Sequence, residues 1–101
     1  MNSIHYSPEA TKDLEDIFGY LKEHSVTAAE KLAESIDQRT AILTVHPAIG
    51  RDRGDLIEGL RSVVIGKYVL FFRLKSKTLE IVRFLHGARD IDSIFQQDEI
   101  R

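Results

Sequence analysis

The chain has 101 residues, 43% of them apolar, with 14 Lys and Arg against 16 Asp and Glu and no cysteine. A chain of this length builds one core worth about 5–15 kcal/mol of net stability, so a single domain over residues 1–101 is predicted and a cofactor domain joined to a separate substrate domain is excluded. The missing cysteine excludes disulfide scaffolds, thiolate zinc sites, iron–sulfur clusters and a cysteine nucleophile, and a formal charge of −2 gives no prior for non-specific DNA binding.

Residues 2–6 alternate apolar Ile4 and Tyr6 with polar neighbours and predict a short strand. Ser7-Pro8-Glu9 then opens a helix: the serine caps free N–H groups, proline fits the first helical position, and the glutamate complements the positive end of the dipole. Ala10, Leu14, Ile17, Phe18 and Leu21 recur at helical spacing, which predicts a helix from about residue 8 to 23. Thr27 with Glu30 forms a capping box for a second helix, with Ser25 a competing cap. Its apolar stripe runs through Ala29, Leu32, Ala33, Ile36, Leu43 and, less cleanly, Thr40, and ends before Pro47. Two amphipathic helices joined by about three residues fold back as an antiparallel hairpin.

Residues 47–59 carry three glycines and the triplet Arg51-Asp52-Arg53, and read as a loop with one helical turn around residues 55–58. Three strands follow, over residues 60–65, 68–74 and 79–86. Gly66-Lys67 suits a type II′ turn between the first two, and Lys75-Ser76-Lys77 turns the chain again. The fold class is therefore α+β: an N-terminal strand, a helical hairpin and a three-stranded meander forming a mostly antiparallel sheet, then a short C-terminal helix. Tyr68-Val69-Leu70-Phe71-Phe72 is apolar on both faces, yet the helical hairpin covers only one. A C-terminal segment, a second subunit or a separate partner must cover the other. Ile91, Ile94 and Phe95 are what the chain itself has left for that purpose.

Charge is unevenly spread. Residues 1–46 hold eight acids against four Lys and Arg, residues 47–89 hold four against nine, and residues 90–101 hold four against one. Two binding surfaces and ordinary solvated faces are both compatible with that pattern. His5, His24, His46 and His86 show no metal-ligand spacing, and no serine sits in a nucleophile motif. No phosphate loop, membrane span or secretory signal is present, so a cytoplasmic protein without metal or cofactor is expected. The local oddity is arginine near the strand ends: Arg61, Arg73, and Arg83 within an otherwise apolar strand, followed by His86-Gly87-Ala88-Arg89-Asp90. Period-2 alternation places Arg83 on one face with Leu79, Ile81 and Leu85, where a guanidinium is costly without a partner. It either pairs internally, with Asp90 or Glu58, or serves an anion or an acidic partner. Asp90 also suits the N-cap of the final helix.

The ordered set Ser7-Pro8-Glu9-Ala10 with Asp13-Leu14-Glu15-Asp16-Ile17, then Pro47 and Ile49-Gly50-Arg51, then Gly59-Leu60-Arg61-Ser62, Gly66-Lys67-Tyr68-Val69-Leu70-Phe71-Phe72-Arg73, and Leu79-Glu80-Ile81-Val82-Arg83 with His86-Gly87-Ala88-Arg89-Asp90-Ile91, resembles the ParE branch of the RelE/ParE toxins. The resemblance covers essentially the whole chain. It implies the toxin of a type II toxin–antitoxin pair with a helical hairpin on an antiparallel sheet. Its partners would be DNA gyrase and a ParD-like antitoxin with a ribbon-helix-helix DNA-binding domain, whose flexible C-terminal segment folds along the toxin in a hetero-oligomer. Arg51, Arg53, Arg61, Arg83, His86 and Arg89 are the expected target-binding residues. Leu21, Tyr68, Leu70, Phe72, Ile91, Ile94 and Phe95 are the expected antitoxin-binding residues.

The RelE branch instead cuts mRNA in the ribosomal A site, and Arg61, Arg83, His86 and Arg89 would be the catalytic set. This chain lacks the tyrosine that many RelE-like nucleases place after the last strand. Gly50-Arg51-Asp52-Arg53-Gly54-Asp55 stands where their lysine-rich loop would be. The expectation is a non-enzymatic gyrase inhibitor that binds no nucleic acid directly.

Overall fold

The structure is a computed structural model and describes residues 3–98. Strand β1 (Ser3–Tyr6) leads into helix α1 (Pro8–His24), helix α2 (Val26–Val45) and a 3-10 turn at Pro47–Ile49. Strands β2 (Arg51–Asp52), β3 (Arg61–Ile65), β4 (Tyr68–Lys75) and β5 (Thr78–His86) follow, then helix α3 (Ile91–Asp98). The predicted first residue of β1, Asn2, lies outside the described residues.

Local chemistry sets the helix ends. Ser7 Oγ accepts from Ala10 N at 3.0 Å and donates to Val82 O at 2.7 Å, so one hydroxyl caps α1 and pins it to β5. Ser25, not Thr27, caps α2: its Oγ accepts from Ala28 N at 3.1 Å, while its own N–H donates to Leu21 O at 2.6 Å. One residue thus ends α1 and starts α2, and the expected three-residue connection shrinks to one. Gly66 has φ +61° and Lys67 keeps a negative φ, as the II′ turn requires.

The sheet order is β1-β5-β4-β3-β2, with β1 parallel to β5 and every other pair antiparallel. The two-residue strand β2 was not foreseen. It comes from Arg51 and Asp52 pairing with Ser62 and Arg61, while the helical turn expected around residues 55–58 falls at 53–57, where Leu56 N and Ile57 N both donate to Arg53 O, and is followed by a turn closed by Leu60 N to Ile57 O.

Between β4 and β5 the register jumps from Phe71↔Arg83 to Phe72↔Ile81, leaving Val82 as an extra residue. Such a bulge reverses the alternation beyond it. Leu79 and Ile81 therefore share the helix-facing core with Phe84, while Val82 and Leu85 pack on the opposite side. The single face predicted for Leu79, Ile81, Arg83 and Leu85 does not exist.

Both faces of β4 are sheltered by the chain itself. Leu70 and Phe72 lie at 0% exposure beneath α1 and α2, with Ala10, Ile36 and Leu43. Phe71, also at 0%, packs with Leu60, Val82, Leu85 and Phe95 under α3 and the 53–60 loop, its ring edge-on to Phe95 at 4.9 Å. Leu70 and Phe72 are therefore core residues in this conformation and present no surface to an antitoxin. Of the three covers considered for the second face, the C-terminal segment provides most of it, helped by Leu56 and Ile57.

Candidate functional site

Arg83 lies at the bulge, and its guanidinium turns toward α1. Nε donates to Asp13 Oδ2 and Nη2 to Asp13 Oδ1, each at 2.8 Å, and the N–H of Phe84 donates to Oδ2 at 3.0 Å. The two side chains are only 10% and 9% exposed. The internal ion pair is thus formed with Asp13, not with Asp90 or Glu58. Asp90 instead caps α3, its carboxylate accepting from Ser93 N at 3.4 Å and Ser93 Oγ at 2.8 Å. Asp13 was not among the partners the sequence suggested, because acids within an amphipathic helix ordinarily lie on its solvent face. The signal was its place three residues after Ala10 and four before Ile17, on the buried side.

The other expected target-binding residues fall into two groups. At one corner Arg61 donates to Gly50 O at 2.8 Å, and a Cβ on Gly50 would meet the Phe72 ring at 2.5 Å. Arg53 forms a two-point pair with Asp55 at 3.1 Å and lies 5.7 Å from the centre of the Phe71 ring. That pairing raises the Arg53 pKa and lowers that of Asp55. Arg51 on β2 is exposed.

His86 and Arg89 lie at the opposite end of the sheet. Tyr68 faces both Ile65 and His86 there, whereas Arg61 faces Phe72 four positions along β4, about 13 Å away at the usual strand rise. His86 Nδ1 accepts from Ala88 N at 3.0 Å, and its ring sits edge-on to Tyr68 at 5.6 Å. With Asp13, Asp16 and Phe84, His86 and Arg89 border a cleft of about 100 Å³. Among the described residues the two groups are set apart at opposite ends of β3 and β4.

Of the expected antitoxin-binding residues, Leu21, Tyr68, Ile91 and Ile94 are half-buried. Phe95 is buried at 5% against Phe71. Much larger hollows lie where no expectation was placed. One of about 670 Å³ is lined by Tyr6, Thr11, Leu14, Glu15, Phe18, Gly19 and Lys22. Another of about 450 Å³ is lined by Phe18, Lys22, Val26, Ala29, Glu30 and Ala33. Burial pushes the Tyr6 phenol pKa above its ordinary 10.0, reinforced by the Asp37 carboxylate and offset by Thr40. Among the described residues no cluster of His, Asp or Glu has the make-up of a metal site, and no helix is long and apolar enough to cross a membrane.

Comparison with known proteins places this geometry. The family model described as the ParE toxin of type II toxin-antitoxin system, parDE, matches residues 4–91. Toxin ParE3 of Caulobacter vibrioides is 30% identical over 80 residues, covering 78% of this chain and 80% of the relative. Among solved structures, a chain from the chromosomal ParDE TA system of P. aeruginosa superposes with a TM-score of 0.68 at 24% identity, over 85% of this chain and 96% of the other. A YafQ variant from E. coli superposes with a TM-score of 0.51 at 18% identity, over 87% and 96%, and attests to the fold alone.

Proposed function

Because the chain belongs to the ParE toxin family of type II toxin–antitoxin systems, we propose that it arrests growth by binding DNA gyrase as a protein inhibitor and that a ParD-like antitoxin neutralises it. The observation carrying this reading is that three of the four groups a nuclease would use, Arg61, Arg83 and His86, are engaged within the fold. RNA cleavage by the 2′-hydroxyl needs a base, an acid and free cations gathered around one phosphate. Here Arg83 is bound by Asp13, Arg61 is tied to the Gly50 carbonyl, and His86 Nδ1 is engaged by the Ala88 N–H. Among the described residues His86 and Arg89 share a cleft, and the carboxylates of Asp13 and Asp16 border it.

Arg51 and Arg89 are the target-facing cations in this reading, each exposed and at opposite ends of the sheet. Arg53 and Arg61 shape the corner beside Arg51, and Arg83 holds α1 to the sheet. The test is DNA supercoiling by gyrase with the purified, antitoxin-free chain. Inhibition with accumulation of cleaved DNA complexes is the expected result. Absence of any effect at micromolar toxin, or cuts in translated mRNA within minutes of induction, would overturn it.

A further inference from the structure

Ile42, Val45 and Ile49 are 47%, 55% and 60% exposed and fall within the last turn of α2 and the 3-10 turn after it. Isolated exposed apolar residues are ordinary, but three so close in the chain are not scattered. Ile42 stands nine residues beyond Ala33, which is about 14 Å along α2 and about two and a half turns. It therefore projects from the other side of α2 than the hollow that Ala29 and Ala33 line.

The segment carrying Ile49 is held from several directions. Arg61 donates to Ala48 O at 3.4 Å and to Gly50 O at 2.8 Å, so one guanidinium grips the carbonyls on either side of Ile49. The Ile49 N–H donates to His46 O at 3.3 Å. Gly50 is buried against the Phe72 ring, and Arg51 pairs with Ser62 on β3. The backbone around Ile49 is thus anchored while its side chain stands in solvent. The exposed Arg51 follows two residues later.

We propose that Ile49, with Val45 and Ile42 beside it in the chain, is the apolar anchor of the gyrase contact, that Arg51 is its charged flank, and that Arg61 is the positioning residue for both. The proposal deepens the gyrase reading and rests on it. An apolar side chain on a backbone already fixed loses little freedom on docking, and a few such anchors with arginine carry most of the energy of an interface. Charge selects the occupant. Among the described residues Arg51 makes no side-chain hydrogen bond or close ion pair, so the surface that matches is an apolar recess bordered by carboxylates. A second copy of this chain matches poorly, because a two-fold contact centred on Ile49 would set two Arg51 guanidinium groups against each other.

The experiment titrates DNA supercoiling by gyrase with the purified, antitoxin-free chain. Calorimetry with the protein encoded next to this chain's gene, sedimentation and thermal melts run in parallel. Ile49→Glu is expected to raise the half-inhibiting concentration about tenfold and Ile49→Ala about threefold. Both are expected to keep the wild-type melting temperature and antitoxin affinity. Arg61→Gln is expected to weaken inhibition as Ile49→Ala does, with Arg61→Lys intermediate and antitoxin affinity unchanged. Equal loss of both activities in Arg61→Gln would remove its positioning role. Val64→Glu, at an exposed apolar position on β3, is expected to inhibit as wild type does. Ile49→Glu inhibiting as wild type does overturns the anchor while the gyrase reading stands. Equal loss of antitoxin binding in that variant, or loss of a dimer seen in wild type, also overturns it and assigns the patch to the antitoxin or to a second copy. Failure of the wild type to inhibit gyrase overturns both readings.

Discussion

Asp13 and Arg83 form a buried pair whose partners cannot be separated cheaply. Removing one breaks a buried two-point pair, which costs about 3–5 kcal/mol, whereas replacing both with apolar side chains of similar volume is often close to neutral. Asp13→Ala is therefore expected to lower unfolding stability by about 3–5 kcal/mol in urea titration. Asp13→Leu combined with Arg83→Met is expected to recover most of that loss. If the single variant loses less than about 1 kcal/mol, the pair does not hold α1 to the sheet. Tyr6 gives a pH signature of opposite origin. Its folded pKa lies above the ordinary 10.0, so the folded protein keeps this proton after the unfolded chain has released it. Its contribution is complete below pH 10 and falls as pH rises through 10 toward the folded value. The melting temperature of wild type minus that of Tyr6→Phe should fall as pH rises between pH 9 and about 11, and a constant difference would contradict the burial of the phenol.

At the level of elements, the turns and close approaches carry costs that can be read individually. Ser76 holds φ +58° in the turn between β4 and β5, a left-handed conformation that costs a residue with a Cβ about 1–2 kcal/mol. Ser76→Gly is expected to stabilise the protein by about 0.5–1 kcal/mol, net of the entropy that glycine adds to the unfolded chain. Gly50 is the converse case. Its φ of −69° is ordinary, but an added Cβ would lie 2.5 Å from the Phe72 ring, so Gly50→Ala is expected to destabilise by about 1–3 kcal/mol through crowding. Chemical denaturation of the two variants should shift in opposite directions. Such elements also show where sequence reasoning succeeds. The helices, three long strands and the II′ turn were legible because their periodicity and caps are local. The bulge at Val82 was not: period-2 alternation carries no mark of one extra residue, and its insertion moved Leu85 to the other core. The cover over Phe71 was only half legible, since Phe95 was visible as a spare aromatic but the contribution of Leu56 and Ile57 depends on how the 53–60 loop closes.

Across the whole molecule the charge division acquires a spatial meaning. The acidic half of the sequence forms α1 and α2, and most of the basic half forms the sheet and its loops, so a chain of net charge −2 offers two surfaces of opposite character. The site was less legible than the fold because a list of arginines does not say which are free. Arg53, Arg61, Arg73 and Arg83 all have partners, and only the folded chain reveals them. Among the described residues Arg51 and Arg89 make no side-chain hydrogen bond or close ion pair, and both are exposed. Exposed positions of this kind usually change stability by no more than about 0.5 kcal/mol when substituted. Their charge remains available to an acidic surface, whose association is steered by complementary potential and weakened by salt. Arg51→Glu with Arg89→Glu is accordingly expected to reduce gyrase inhibition more than tenfold while the melting curve and antitoxin affinity stay at wild-type values. The two single variants then apportion the loss between the ends of the sheet. Arg83→Gln separates the roles, because its loss of activity is expected to follow its loss of folded protein. Should the double Glu variant inhibit as strongly as wild type, the target is not held by these arginines.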